Sequence, residues 1–162
     1  MKNHIPLKRH RSIVSFSRDH HFGLLLVWKI RQGLKTAIDP ERISNYVDFV
    51  FKEDLEKHFN EEEQLLFSKL AVDDELRKRA ELDHLAIYNL AAAIERRKGD
   101  GNLLNHLADT LEEHIRFEER ELFGHLQKNI PAADLELIDS RFPNNSKAID
   151  GKWEDAFWEV NK

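Results

Sequence analysis

The chain has 162 residues, with 25 Lys and Arg against 30 Asp and Glu, a formal charge of −5 and a 41% apolar fraction that can fill one core. No run of about 18 apolar residues offers a membrane span, and zero Cys removes disulfides, thiolate zinc sites and cysteine catalysis. A mildly acidic chain repels phosphate, so no nucleic acid and no membrane is expected as a partner, and a basic start without an apolar h-region points to a cytoplasmic protein.

In chain order, residues 1–12 form a basic N-terminal arm carrying His4 and His10, expected to be solvated. A first helix is predicted from about Ile13 to Thr36, with Phe16, Leu24, Val27 and Leu34 on one stripe. Asp39-Pro40 breaks the chain, because proline disfavours helical geometry at the residue before it. A second helix, about Glu41 to Leu70, shows Val47, Phe51, Leu55 and Leu65. After a softer break at Val72-Asp73-Asp74, a third runs to about Lys98 through Leu76, Ala80, Ile87, Ala91 and Ile94. Gly99-Asp100-Gly101 stops it, and a fourth spans about Asn102 to Lys128 with Leu104, Leu107, Leu111, Phe117 and Leu122. The fold class is therefore all-α: an up-down-up-down four-helix bundle over residues 13–130. A C-terminal extension, residues 131–162, is expected to add a short helix near Ala132–Ser140 and a break at Phe142-Pro143. Its Trp153, Phe157 and Trp158 are expected to pack across one bundle end.

The unusual count is nine His. In an antiparallel bundle, residues equidistant from a turn share a height. Positions 20 and 58 have their midpoint at Asp39, 84 and 114 at Gly99, and 58 and 84 at Ala71, each at or beside a predicted break. His20, His58, His84 and His114, one per helix, thus fall in one layer. His58-Phe-Asn-Glu-Glu62 and His114-Ile-Arg-Phe-Glu118 add two carboxylates by i,i+4 spacing, on faces that are otherwise apolar. A carboxylate on a core face is costly unless something positive pairs with it. Four imidazoles and two carboxylates suit a pair of borderline divalent ions, with Glu62 and Glu118 spanning both. His106 and His125 lie about 12 and 16 Å along the axis from His114 and are read as non-ligands. The remaining acids of Glu61-Glu62-Glu63 and Glu118-Glu119 read as solvated helix faces. By stripe alone His20 and His21 nearly tie, and His20 is preferred.

One His per helix, with His-x-x-x-Glu on the second and fourth, resembles the hemerythrin-like (HHE cation-binding) family over about Ser12 to Lys128. The resemblance implies a non-haem di-iron centre, two iron ions held by His20, His58, Glu62, His84, His114 and Glu118. It also implies a small ligand such as O2 or NO, or a part in redox or iron handling. Asp19-His20 matches the family's acid-His pair on the first helix and supports His20 over His21. The third helix departs from the oxygen carriers: Tyr88 stands four residues after His84 where they carry a second His. Tyr88 is open to ligation, to hydrogen bonding or to plain packing, and Glu81, three residues before His84, to a role as an extra oxygen ligand. Whether the chain is an enzyme stays open. The alternatives are a ferroxidase, peroxidase or two-metal hydrolase on the same ligands, and a metal-free interaction bundle.

Overall fold

A computed structural model describes residues 8–141 and 150–159. Five helices account for most of them, and no strand occurs among the described residues. Helix α1 spans Arg11–Lys35. Helix α2 is one rod over residues 40–65, made of Pro40–Val50, a π-helical turn Phe51–Leu55 and Glu56–Leu65; a 3-10 turn Phe67–Lys69 comes after it. Helix α3 spans Glu75–Arg96. Helix α4 covers 101–129 as Gly101–Phe117, a second π-turn Glu118–Leu122 and Phe123–Asn129, and α5 is Ala132–Arg141.

The expected breaks are where the helices end, and each has a local cause. Asp39, Asp74 and Asp100 cap α2, α3 and α4, their carboxylates accepting backbone N–H groups of the first turn. Gly99 takes φ +101, a conformation that suits glycine and turns the chain from α3 to α4. Helix α1 begins two residues earlier than its apolar pattern suggests. The His10 ring accepts the Ser12 N–H and caps it, so His10 is a structural end-piece. His4, most of the basic arm and the Phe142-Pro143 break lie outside the described residues.

Helix α1 packs most extensively on α4 and also on α2, while α3 packs on α4 and α2. The bundle encloses two apolar clusters. One contains Leu26, Ile30, Ile43, Val47, Leu104, Leu107 and Leu111, and the other contains Ile13, Phe16, Phe67, Leu122, Phe123 and Leu126. Leu24, expected on the inner stripe of α1, is exposed; Gly23 and Leu26 face inward instead.

The π-turns set the phase of both rods. Glu62 lies nineteen residues after Ile43, and a plain α-helix would leave the two about 100° apart. In the π-turn the Glu56 N–H reaches back five residues to the Phe51 carbonyl. The extra residue is absorbed there, and Leu55, His58 and Glu62 are buried like Ile43, Val47 and Val50 before it. Phe51, expected on the stripe, is left half-buried. In α4 the Phe123 N–H makes the equivalent bond to the Glu118 carbonyl, and Leu122, Phe123 and Leu126 all reach the second cluster.

Residues 150–159 cover the far end of the first cluster. Phe157 packs edge-on to Tyr46, and the Phe49 and Trp153 rings stack at 4.8 Å. Arg42 holds Asp155 through two hydrogen bonds of 2.9 and 2.6 Å. Gly33 makes room for this contact: a Cβ there would lie 2.8 Å from Ile43 Cδ1 and 2.9 Å from Phe157 Cε2. A Cβ on Gly124 would meet nothing within 4 Å. Gly33→Ala should therefore destabilise the fold by about 1–3 kcal/mol through overpacking. Gly124→Ala should stabilise it by up to about 1 kcal/mol through helix propensity. Denaturant midpoints of the two variants, moving in opposite directions from the parent, check this.

Candidate metal centre

Between the two apolar clusters lies a layer of polar groups that are buried almost completely. His84, His114, Glu62 and Glu118 are at most 1% exposed, and His20 and His58 are at 5% and 7%. All six expected residues are brought together. The ligand-capable atoms of Glu62, His84, His114 and Glu118 lie within 4.8 Å of one another, and so do those of His20, His58 and Glu62. Glu62 belongs to both groups. Glu118 also reaches across, since its Oε2 lies 3.0 Å from His20 Nε2 while its Oε1 contacts His114 Nε2. The Nε2 atoms of His84 and His114 approach to 3.1 Å.

All four imidazoles turn Nε2 inward because Nδ1 is held from outside. His58 Nδ1 is 3.0 Å from Asp19, His84 Nδ1 2.8 Å from Glu63, His114 Nδ1 3.0 Å from Asp83, and His20 Nδ1 2.7 Å from Glu119. Each acid sits on one helix and holds the histidine of the next, and α4 closes the circuit on α1. A carboxylate on Nδ1–H fixes the tautomer with the Nε2 lone pair free and makes that nitrogen a better donor to a metal. Glu63 and Glu119, which read from sequence as solvated, are thus working parts, and Asp83 is a further one that ligand spacing does not reach. The signal is adjacency: an acid precedes His20 and His84 and comes directly after Glu62 and Glu118. Arg9 of the basic arm, expected to be solvated, also reaches this shell, with Nη2 3.1 Å from Glu119 Oε2. Ser17 Oγ donates to the same carboxylate at 2.6 Å.

Aromatic rings clamp the imidazoles from the sides. Phe123 stacks on His20 at 5.3 Å and Phe59 on His84 at 4.1 Å. A narrow cavity with room for about one water-sized molecule adjoins His20, His58 and His114, between Gly23, Leu55, Phe59, Leu111 and Ile115.

The electrostatics show how demanding the layer is. Burial pushes the histidine pKa values down, but Glu118 and Glu119 outweigh it at His20 and bring it up to about 9. His84, against Glu118, Glu62 and Glu63, rises to about 11 despite its burial. His58 and His114 are raised as well, again against burial, by Glu62 and Glu118 respectively. Burial alone would raise Glu118, yet the charge of His114 and hydrogen bonds within the layer hold it well below the usual carboxylate range. Both oxygens of Glu62 and Oε1 of Glu118 nevertheless have no hydrogen-bond partner among the described residues. His58 Nε2 lies 2.9 Å from Glu62 Oε1, close enough for charge pairing but not aligned as a hydrogen bond. Buried carboxylate oxygens without partners, facing ring nitrogens whose protons a metal can displace, are what a divalent cation needs. The donor set fits a metal, and the cluster could hold one.

The other sequence candidates fall elsewhere. His21 and His106 are exposed, and His125 pairs with Asp74 at 2.7 Å. Glu81, open to a ligand role, is exposed and ion-paired with Arg77 at 2.8 Å, away from the layer. Tyr88 belongs to neither ligand group. Its ring packs edge-on to Phe51 and Phe59, and burial pushes its phenol up to about 12.

These shifts set the pH response of chelator-stripped protein. His20 and His84 have folded-state pKa values of about 9 and 11 against 6.5 for the free side chain. Their stabilisation is complete below pH 6.5 and is lost as pH rises through 9 towards 11. Glu118 acts oppositely, its contribution present above pH 4.5 and lost only well below it. Stripped protein should therefore melt highest between pH 4.5 and 6.5 and lower at about pH 9.5, above the His20 value. Metal-loaded protein should gain on raising the pH from about 5.5 to about 7.5, because uptake displaces ring protons. Thermal melts of both forms across this range check the two signs.

No helix among the described residues is long and apolar enough to cross a membrane. No curated protein and no solved structure matches the chain. The model of the hemerythrin HHE cation-binding domain matches residues 12–126, a stretch that begins at the first turn of α1, ends near the close of α4 and contains every residue of the polar layer. The chain belongs to the hemerythrin HHE cation-binding domain family.

Proposed function

We propose that this protein is a non-haem di-iron protein that binds O2 or a related small ligand such as NO or peroxide, for sensing, storage or redox and iron handling. His20 and His58 would serve one ion and His84 and His114 the other, with Glu62 and Glu118 bridging. The four long helices would run up-down-up-down around them, a topology supported by the short links at 36–39 and 97–100 and by the meeting of all four histidines at one level. The observation that carries the reading is the pair of wholly buried carboxylates, with both oxygens of Glu62 and Oε1 of Glu118 lacking hydrogen-bond partners amid four inward Nε2 atoms. Two ions rather than one are favoured by the sharing of Glu62 between two groups of ring nitrogens, His20 with His58 and His84 with His114.

Bound iron would supply small-ligand binding and one-electron chemistry, which no side chain of this chain offers. The chain's own part is to hold and to exclude. The four outer carboxylates keep each ring oriented, the flanking Phe rings remove water, and the cavity beside His20, His58 and His114 admits only a molecule of about the size of water.

Elemental analysis of iron-grown protein should find about two metal ions per chain, the number that the two donor groups can hold. Glu62→Gln and Glu118→Gln should lose most of that content, while His106→Ala and His125→Ala keep it. Equal retention in all four variants would place the centre elsewhere. Asp83→Asn, which touches no ligand position but His114 Nδ1, should weaken metal affinity by about 10- to 100-fold with the fold intact. Competition against a chelator measures it.

A further inference from the structure

The cavity beside the polar layer has a second property that ligand binding does not use: a charged rim. Its lining includes Asp54, from the π-turn of α2, and Asp19, together with His20, His58 and His114. Asp54 is half-buried and has no hydrogen bond or ion pair among the described residues. The π-turn puts it there. Counting on in α-helical steps from Val47 and Val50, residue 54 would take the core place; the extra residue gives that place to Leu55 and leaves the Asp54 carboxylate at the rim. A charge kept unpaired at this depth costs stability, and neither the packing nor the ring of outer carboxylates needs it.

Resting on the di-metal reading, we infer that this crevice between α1 and the π-turn of α2, with Asp54 at its mouth, is the path by which a divalent cation reaches the ligand layer. The groups along it form a continuous series of donors. Asp54 lies in the field of Asp19 and His58, Asp19 Oδ2 is 3.0 Å from His58 Nδ1, and His58 Nε2 is 2.9 Å from Glu62 Oε1. At the inner end Glu62 is fully buried with both oxygens lacking a hydrogen-bond partner. The cavity is too narrow for a hydrated ion, so the ion must exchange water for protein oxygen where it enters. A free carboxylate at the rim of a low-dielectric opening does this, and it also concentrates cations there. Glu61 shares the field of Asp19 and Asp54, and its carboxylate, 3.9 Å from the Lys57 ammonium, offsets the positive charge that Lys57 brings near the rim.

The test is stopped-flow uptake of Co(II) by chelator-stripped full-length protein, read by visible absorbance. Asp54→Asn should slow uptake by about threefold or more and reach the parent's final cobalt content. Asp54→Glu should recover the parent rate. Glu53→Gln removes the same charge from the neighbouring, exposed position of the same turn and should leave the rate unchanged. Should Asp54→Asn fail to fold, Asp54→Ser removes the charge with a smaller side chain and carries the same expectation. The path is overturned if the neutral Asp54 variant fills at the parent rate, if Glu53→Gln is slowed equally, or if the final cobalt content falls. A parent that takes up no cobalt overturns the di-metal reading itself, whereas a parent that fills normally beside an unslowed variant overturns only the path.

Discussion

Four carboxylate–imidazole pairs, each joining one helix to the next, are the constraint on which this molecule is built. Asp19 to His58, Glu63 to His84, Asp83 to His114 and Glu119 to His20 form a closed ring around the bundle. Each pair fixes three things at once: the height of two helices relative to each other, the rotation of the helix that presents the imidazole, and the ring nitrogen left facing the centre. Buried ion pairs are poor stabilisers in general, since desolvation offsets much of their attraction, but breaking one leaves a charge stranded. A closed ring therefore favours one arrangement of the helices more than it deepens the stability of that arrangement.

Stability comes from above and below. The apolar cluster around Leu26, Ile43 and Leu107 and the one around Phe16, Leu122 and Leu126 sandwich the polar layer. The chain closes the outer end of each. Helix α5 supplies Leu135 and Ile138 to the second cluster. At the opposite end Phe157 enters the first, while the buried Lys29 ammonium lies 3.9 Å from the Trp158 ring and donates to the Tyr46 hydroxyl. A cation held against aromatic faces keeps part of its solvation energy when water is excluded, which lets this end close over a charge.

Much of this was legible in the sequence because it depends on periodicity and on counting. The breaks at Asp39-Pro40 and Gly99-Asp100-Gly101 locate the turns, and the midpoints of the histidine positions then identify a layer without any structure. Features that periodicity conceals could not be read. His20 and His21 share nearly equal stripes, so periodicity does not separate them; the acid before His20 favours it, and burial decides. Glu63 and Glu119 carry the same charge and the same helical setting as any solvated acid; their role depends on which residue the neighbouring helix presents. Glu81 has ligand spacing from His84, but Arg77 one turn earlier draws it to the surface. Leu24 fits an apolar stripe by spacing, yet α1 turns Gly23 to α4, where Ile115 Cδ1 would lie 2.8 Å from an added Cβ. The π-turns have no sequence signature at all.

Those turns also decide where this chain can change length. Each is a place where one residue beyond the α-helical count is taken up without rotating the rest of the helix. Deleting a residue between 51 and 55 would let α2 run as plain α-helix with His58 and Glu62 still facing inward. The same deletion between 58 and 62 would separate the two side chains onto different faces. Helices α2 and α4 thus each contain one stretch of slack beside a stretch of fixed spacing. One residue can be lost from the first stretch with the polar layer kept, whereas the same loss from the second takes the layer apart.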